Sequence, residues 1–473
     1  MGTQAIVFGT DGWRAIIADQ YTFENLERVT RATADWLRAT YGREAAVVIG
    51  HDTRFMGREF SEHVASVFAE EGIRSTVSDD FTTTPAISWA TAAYGAQAGI
   101  VITASHNPPH YNGFKIKAHF GGPASPEMIA DVESRIPDSG SARVRTLADS
   151  RVAGFVTTRQ ITADYMGVLA ERIDLDGIRR SGIRVAHDAM YGAGQGVIAG
   201  LLGEDRVVEL HATRNPGFMG RAPEPIESNL KELAAAVVAE GCGVGIAIDG
   251  DADRVGMYDE QGGYVNSHLL LALLVKYLHE ERGLNGSIVK TFSTTHMLDR
   301  MGDAYDLPVE TTRIGFKYIA SKIVDGDVLV GGEESGGMAV KGHIPERDGI
   351  YIGLLVTEML VRRGKPLSAL VQELYDQFGP HYTYRFDAHT TEEAKQGILR
   401  RLAEEGGLDT IGGATVRDFQ TLDGFKHIVD GGWLLVRPSG TEPVLRIYSE
   451  AVSAVAATEL VNDAQRQLGL DVN

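Results

Sequence analysis

The sequence predicts an α/β protein made of three successive α/β domains followed by a smaller α+β unit. Three β-rich runs, Val47–Arg54, Ile183–Asp188 and Ser287–Ser293, each end in a short polar loop and lead into a helical pattern. Their spacing is too wide for a solenoid, so each predicts its own sheet with a loop free to face a common centre. After Pro380 the pattern changes to an alternating run at His381–Phe386, a helix over Thr391–Glu405 and a strand at Trp433–Val436. At 473 residues the chain is also too long for a single core.

In chain order the first domain covers 1–150, with a turn-rich stretch at Pro137–Ala142 near its end. The second covers 151–258 and closes on an aspartate cluster, the third covers 259–376, and the α+β unit covers 377–473. The apolar stretch Leu269–Val275 stops at Lys276, which predicts a buried helix and not a bilayer span.

Bulk properties narrow the function. The hydrophobic fraction of 43% and charged fraction of 23% are those of a globular protein. A net charge of −19, from 64 acidic and 45 basic side chains, argues against nucleic-acid or anionic-membrane partners, so an anionic substrate needs a local positive cleft. The first residues lack a basic start followed by a long apolar run, and Cys242 is the only cysteine. A reducing, cytoplasmic location is the expectation.

The strongest chemical signal is Ile246-Ala-Ile-Asp-Gly-Asp-Ala-Asp-Arg254, where an apolar run ends in Asp249, Asp251 and Asp253. If the segment stays extended, its two-residue period sends all three carboxylates to one side, at a strand end where ligands gather. Oxygen-only ligands select magnesium, calcium or manganese. An EF-hand loop fails because Arg254 stands where glycine is required and the preceding Cys242–Ile248 reads as a strand.

Further motifs follow the same strand-then-loop form. Val101–His110 contains Ser105, the one plausible nucleophile there, just before the restricted backbone of Asn107-Pro108-Pro109. Lys115 sits between apolar neighbours, where desolvation lowers a lysine pKa enough for proton transfer. In Gly331-Gly-Glu-Glu-Ser-Gly-Gly337 the glycines let a ligand approach the backbone, while Glu333 and Ser335 suit vicinal sugar hydroxyls. Arg437-Pro-Ser-Gly-Thr-Glu-Pro443, with Arg446 beyond it, offers a guanidinium, the hydroxyls of Ser439 and Thr441 and the Gly440 N–H to a phosphate.

These segments in this order, together with Phe8-Gly-Thr-Asp-Gly-Trp-Arg14, resemble the α-D-phosphohexomutase superfamily over essentially the whole chain, and most closely its phosphoglucomutases. The resemblance implies four domains with mixed sheets around a central cleft. It implies a phosphoserine at Ser105, with magnesium held by Asp249, Asp251, Asp253 and the Ser105 phosphoryl group, and a general acid/base at Lys115. It further implies sugar contacts from Glu333 and Ser335 and a phosphate loop of Arg437, Ser439, Gly440 and Thr441. Arg254, Arg347, Arg446, Arg14 and Arg54 fall at basic positions similar to those lining the family's cleft.

The implied reaction is interconversion of hexose 1-phosphate and hexose 6-phosphate, with glucose 1,6-bisphosphate as intermediate and activator. The sole partner expected is a small sugar phosphate, bound by a monomer or homodimer. Two features depart from the bacterial phosphomannomutase pattern. Gly337 replaces a histidine, leaving His343 as the second proton-transfer candidate, and Glu333-Glu334-Ser335 resembles the glucose branch. Mannose, glucosamine or pentose phosphates are alternative substrates; a magnesium-dependent sugar phosphatase and a non-catalytic sugar-phosphate-binding protein are the readings from other classes.

Overall fold

The β-branched runs form strands, and the loops that follow them are short. The computed structural model describes residues 6–140, 144, 146–438 and 444–470. Six strands make the first sheet: β1 (Trp13–Ile16), β2 (Ala46–His51), β3 (Arg74–Ser78), β4 (Ala98–Ile102), β5 (Tyr111–Ala118) and β6 (Val156–Arg159), in the order β1-β5-β4-β2-β3-β6. The inner pairs β2–β4 and β2–β3 are parallel, while β5 runs antiparallel to both β4 and β1. The sheet is therefore mixed. β6 pairs in parallel with β3, so this sheet draws a strand from beyond residue 150.

The second sheet has the order β11-β10-β9-β7-β8, with β7 (Val185–Asp188), β8 (Val207–Leu210), β9 (Val244–Ile248), β10 (Val255–Tyr258) and β11 (Tyr264–Val265). β9 is buried at every position, as a continuous apolar run requires of a strand covered on both faces. In the third repeat β12 (Ser287–Thr291) pairs in parallel with β13 (Val309–Thr312), and β14 (Val328–Gly332) pairs antiparallel with β15 (Met338–Val340). The C-terminal part holds β16 (Tyr382–His389), a small hairpin of β17 (Thr410–Ile411) and β18 (Ala414–Thr415), then β19 (Asp418–Gln420), β20 (Phe425–Val429), β21 (Gly432–Pro438) and β22 (Val444–Ala451). Its antiparallel sheet runs β16-β22-β21-β20-β19.

The chain forms two compact units, Met1–Leu270 with Gly315–Ala369, and Leu271–Ile314 with Leu370–Asn473. In the first unit a core cluster gathers around Trp13, Tyr21, Leu26, Phe60 and Phe114, with Trp13 stacked on Tyr21 at 4.9 Å. In the second, the C-terminal sheet buries one face on Leu402, Leu460 and Val461 and directs Trp433, Leu435 and Tyr448 of its other face toward Phe292. The stretch Leu269–Val275 lies in the buried helix Ser267–Lys276, and Thr391 caps the helix Glu392–Glu405 by accepting from the Ala394 N–H. Among the described residues no helix is long and apolar enough to cross a membrane.

What positions the site is the join between the second sheet and the helix Gly349–Arg363. Asp348 caps that helix by accepting from the Tyr351 N–H, and the Gly349 N–H donates to the Ala252 carbonyl at 3.0 Å. A Cβ at Gly353 would lie 2.7 Å from Ile246 Cγ2, so glycine there lets the helix press directly onto β9. The loop before the helix is thereby held against the loop that leaves β9.

Candidate active site

Ser105 follows β4 and adopts a left-handed backbone, φ 51°. Its hydroxyl donates to Asp249 Oδ2 at 2.7 Å and lies 3.3 Å from His106 Nδ1. Asp249, Asp251 and Asp253 are fully buried, and each offers an oxygen within 4.8 Å of the others. Strand alternation does not bring them together, as the sequence expectation had it. The chain leaves β9 in a turn, Ala252 takes φ 61°, and its N–H returns to the Asp249 carbonyl at 3.0 Å. The turn also aims the N–H groups of Asp253 and Arg254 at Asp249 Oδ1, at 2.9 and 3.1 Å.

Lys115, on β5, donates to Asp251 Oδ2 at 2.8 Å and to Asp253 Oδ2 at 2.9 Å, and it pairs with Asp11 at 2.8 Å. The sequence expectation of a lowered lysine pKa is reversed here. Burial does push the ammonium down, but Asp11, Asp251 and Asp253 outweigh it and the net shift is upward. Asp249 also shifts upward, which for a carboxylate disfavours the charge: burial and its neighbours Asp253 and Asp251 hold its pKa well above the usual range.

Two carboxylate oxygens, Asp251 Oδ1 and Asp253 Oδ1, are buried without a hydrogen-bond partner among the described residues. Orphaned anionic oxygens beside a crowded carboxylate trio are what a hard divalent cation satisfies, so these residues fit magnesium.

Arg347, just ahead of the helix Gly349–Arg363, is buried, and it pairs with Asp253 at 2.6 Å, closely with Asp11, and with Glu333 at 3.7 Å. Glu333 follows β14, is 4% exposed, and has a pKa pushed up to about 7 by burial that Arg347 only partly offsets. Ser335 lies half-buried in the same turn. Two glycines of this loop make room for protein: a Cβ at Gly336 would lie 2.6 Å from the Val255 carbonyl, and one at Gly337 would clash with the Arg347 side chain. Arg14 donates to Asn107 Oδ1 at 2.6 Å beside the serine loop, and Arg254 reaches Glu224 at 3.8 Å, its Nε unpartnered among the described residues.

His343, expected as the second proton-transfer candidate, sits in a separate cluster of contacts. Its ring stacks on Tyr351 at 3.8 Å, Nδ1 accepts from Arg172 at 2.6 Å, and Nε2 lies 2.8 Å from Asp348 and 3.1 Å from Tyr165. Both nitrogens are engaged in a buried cluster that pins the start of the helix Gly349–Arg363.

The second unit carries Arg437 and Arg446, register partners on β21 and β22. Two guanidiniums placed side by side on one sheet face repel each other unless an anion joins them. Arg437 donates to Asp423 at 3.1 Å, and Arg446 Nε lies 4.0 Å from Asp387 with no hydrogen-bond partner among the described residues. Ser439, Gly440 and Thr441 lie outside the described residues.

Sequence reasoning passed over Asp11, Lys117 and Glu346. Asp11 bridges Lys115 and Arg347, and Lys117 pairs with Glu346 at 2.7 Å and with Asp11 at 3.5 Å. A signal was present, since Lys115 and Lys117 occupy one face of a strand and both need buried anions. His106 also adjoins the Ser105 hydroxyl; burial and the nearby Arg254 and Arg14 hold its pKa well below the usual histidine value.

Comparison with known proteins covers nearly the full chain. Residues 5–143, 163–263 and 266–378 match the family models for phosphoglucomutase/phosphomannomutase alpha/beta/alpha domains I, II and III, and residues 389–467 match the C-terminal domain. The phosphoglucomutase/phosphomannomutase of Thermococcus kodakarensis is 32% identical over 457 residues, spanning 96% of each chain. A probable phosphoglucosamine mutase of the same organism is 34% identical over 462 residues, spanning 97% of each. The crystal structure of a putative phosphomannomutase from Thermus thermophilus is similar with a TM-score of 0.87 and 32% identity, covering 99% of this chain and 100% of the other.

Proposed function

The chain belongs to the phosphoglucomutase/phosphomannomutase family, whose members are isomerases that move a phosphoryl group within a sugar phosphate, and from that premise we propose that it interconverts glucose 1-phosphate and glucose 6-phosphate through a phosphorylated Ser105. One observation above the others supports this reading. The Ser105 hydroxyl lies 2.7 Å from Asp249 in a buried acidic trio with two oxygens unpartnered among the described residues.

In the proposed cycle the sugar's free hydroxyl oxygen attacks the phosphorus on Ser105, the serine O–P bond breaks, and the hydroxyl proton leaves to a base. The hexose 1,6-bisphosphate then turns over, and Ser105 takes back the other phosphoryl group. Asp249, Asp251 and Asp253 would hold magnesium, which when bound withdraws charge from the phosphorus and stabilises the departing serine oxygen.

The chain's own residues supply the rest. Lys115 keeps the acidic trio neutralised, its ammonium directed at Asp11, Asp251 and Asp253. Glu333, with a pKa near neutrality at about 7, accepts from sugar hydroxyls alongside Ser335. Arg437 and Arg446 grip the phosphate that is not reacting.

Glucose is favoured by the Glu333-Glu334-Ser335 form of the sugar loop. A second reading, glucosamine phosphate, draws on the 34% identity to the probable phosphoglucosamine mutase. Coupled assays with glucose, mannose, glucosamine and ribose 1-phosphates, started with a trace of the matching bisphosphate, separate these readings. Ser105→Ala abolishes turnover while sugar-phosphate binding persists. Full activity in that variant overturns the nucleophile, and steady release of inorganic phosphate makes the protein a phosphatase.

A further inference from the structure

The basic residue after β2, Arg54, belongs by its sequence position with arginines that line a substrate cleft, yet its side chain is fully buried and every donor is already engaged. Nε donates to Asp52 Oδ2 at 3.1 Å. One terminal nitrogen donates to the carbonyls of Pro108 and Tyr111, at 2.9 and 3.1 Å, and the other to those of Ser105 and Asn107, both at 2.6 Å. A guanidinium has five N–H donors in a fixed fork, and here all five are directed at protein, leaving none for substrate.

Three of the carbonyls belong to the loop that carries Ser105, and the fourth, of Tyr111, to the first residue of β5. The same carboxylate that holds Arg54 also accepts from Thr103 Oγ1 at 2.6 Å, and Thr103 Oγ1 accepts in turn from the Ser105 N–H at 2.9 Å. Ser105 is therefore held at both backbone ends by one connected unit, its carbonyl by Arg54 and its N–H by Thr103, with Asp52 joining the two. The residue so held has φ 51°, a conformation that a non-glycine residue rarely adopts and that persists only where its surroundings impose it. Phe218 lies against the guanidinium, whose central carbon is 4.9 Å from the ring centroid. A Cβ at Gly250 would meet the Ser105 carbonyl at 2.6 Å, so the metal-site loop abuts the backbone that Arg54 grips.

We propose that Arg54, with Asp52 and Thr103, is a positioning device for the nucleophile: it imposes the left-handed backbone at Ser105 that directs the hydroxyl at Asp249. This inference rests on the reading of Ser105 as the phosphoryl carrier. Arg54 itself touches neither sugar nor phosphate. Its removal shifts the serine oxygen relative to the acidic trio and leaves the groups that recognise substrate in place.

Lysine in place of Arg54 retains the charge for Asp52 but cannot reach four carbonyls from one point. Arg54→Lys is expected to lower kcat on the order of 100-fold with KM changed by less than about threefold, as a misplacement of about 1 Å at a reacting centre does. Magnesium binding to the dephosphorylated variant, followed by calorimetry, stays within about twofold of dephosphorylated wild type, because the trio is not touched. A merely structural role predicts instead a lower melting temperature with unchanged kcat per folded molecule.

Thr103 gives a second, milder route should Arg54→Lys fail to fold. Thr103→Val removes the hydroxyl that links Asp52 to the Ser105 N–H and lowers kcat, whereas Thr103→Ser keeps the link and restores it. Wild-type kcat in folded Arg54→Lys, or equal kcat in Thr103→Val and Thr103→Ser, overturns the proposal. Ser105→Ala is run beside them: activity there removes the premise, while an inactive Ser105→Ala with a fully active Arg54→Lys removes this inference alone.

Discussion

Two lysines are buried to nearly the same degree, Lys115 at 0% and Lys426 at 2% exposure, and they are held in opposite ways. Lys115 stands among Asp11, Asp251 and Asp253 at 2.8, 2.8 and 2.9 Å, and its charge is stabilised. Lys426, on β20 of the second unit, donates to the Phe292 carbonyl at 2.9 Å and lies 4.0 Å from the Trp433 ring, with no ion pair among the described residues. Burial, reinforced by Lys290, pushes its pKa down to about 7. Depth alone does not decide whether a buried ammonium keeps its proton; the carboxylates around it do.

The largest expected effect tests the first half of that contrast. Lys115→Met leaves carboxylates in the acidic site without their cation, and breaking a buried pair from one side costs about 3–5 kcal/mol. Urea unfolding of chelator-treated protein reads this loss directly. Added magnesium then stabilises Lys115→Met more than wild type, since no ammonium competes for Asp251 and Asp253; a ligand at 100 times its Kd contributes about 2.7 kcal/mol. Equal stability of variant and wild type without the ion would show that Lys115 does not neutralise the trio.

Much of this site is legible in the chain and some of it is not, for reasons visible in particular residues. The apolar run into Asp249, Asp251 and Asp253 carries a local signal, because a buried strand and its exit loop are contiguous. How the carboxylates converge is not local: it depends on φ 61° at Ala252, which an alanine does not advertise. Asp11 escapes for a different reason. Its partners Lys115 and Arg347 are remote in sequence, and an aspartate between glycine and threonine reads as a turn. Gly336 and Gly337 carry a true signal of close approach, but the approaching groups are the Val255 backbone and Arg347. Fold class was readable from strand-then-helix alternation, whereas the pairing of β6 with β3 depends on a long-range contact.

The second half of the contrast predicts a gain. Below pH 7 both folded and unfolded chains carry the Lys426 proton, so the folded state bears the full penalty of a poorly paired buried charge. Between about 7 and the ordinary lysine value of 10.5 the unfolded chain holds a proton that the folded chain lacks, and stability rises with pH. Lys426→Met removes that dependence. It is expected to stabilise the protein at pH 6 by about 1–3 kcal/mol, less than the whole penalty because the contact with Trp433 is lost, and to lose this advantage by pH 9. Denaturant unfolding at the two pH values checks it; an advantage that grows with pH would reverse the assignment.

The smallest effect concerns a buried base whose partners are complete. His343 has a pKa lowered by burial, which its bond to Asp348 opposes without overturning, so near neutral pH the ring is uncharged. Arg172 donates to Nδ1 at 2.6 Å, which leaves the proton on Nε2, directed at Asp348 2.8 Å away. With one nitrogen accepting and the other donating inside the protein, the ring has no free site for a substrate proton. His343→Gln keeps a donor and an acceptor but loses the stack on Tyr351 at 3.8 Å. Stability is expected to fall by about 1–2 kcal/mol. In the same variant kcat stays within about threefold of wild type, whereas deleting a proton-transfer group costs about 10²–10⁴-fold. A fall of that larger size, with KM unchanged, would return His343 to the chemistry and would mean that the contacts around it open during turnover.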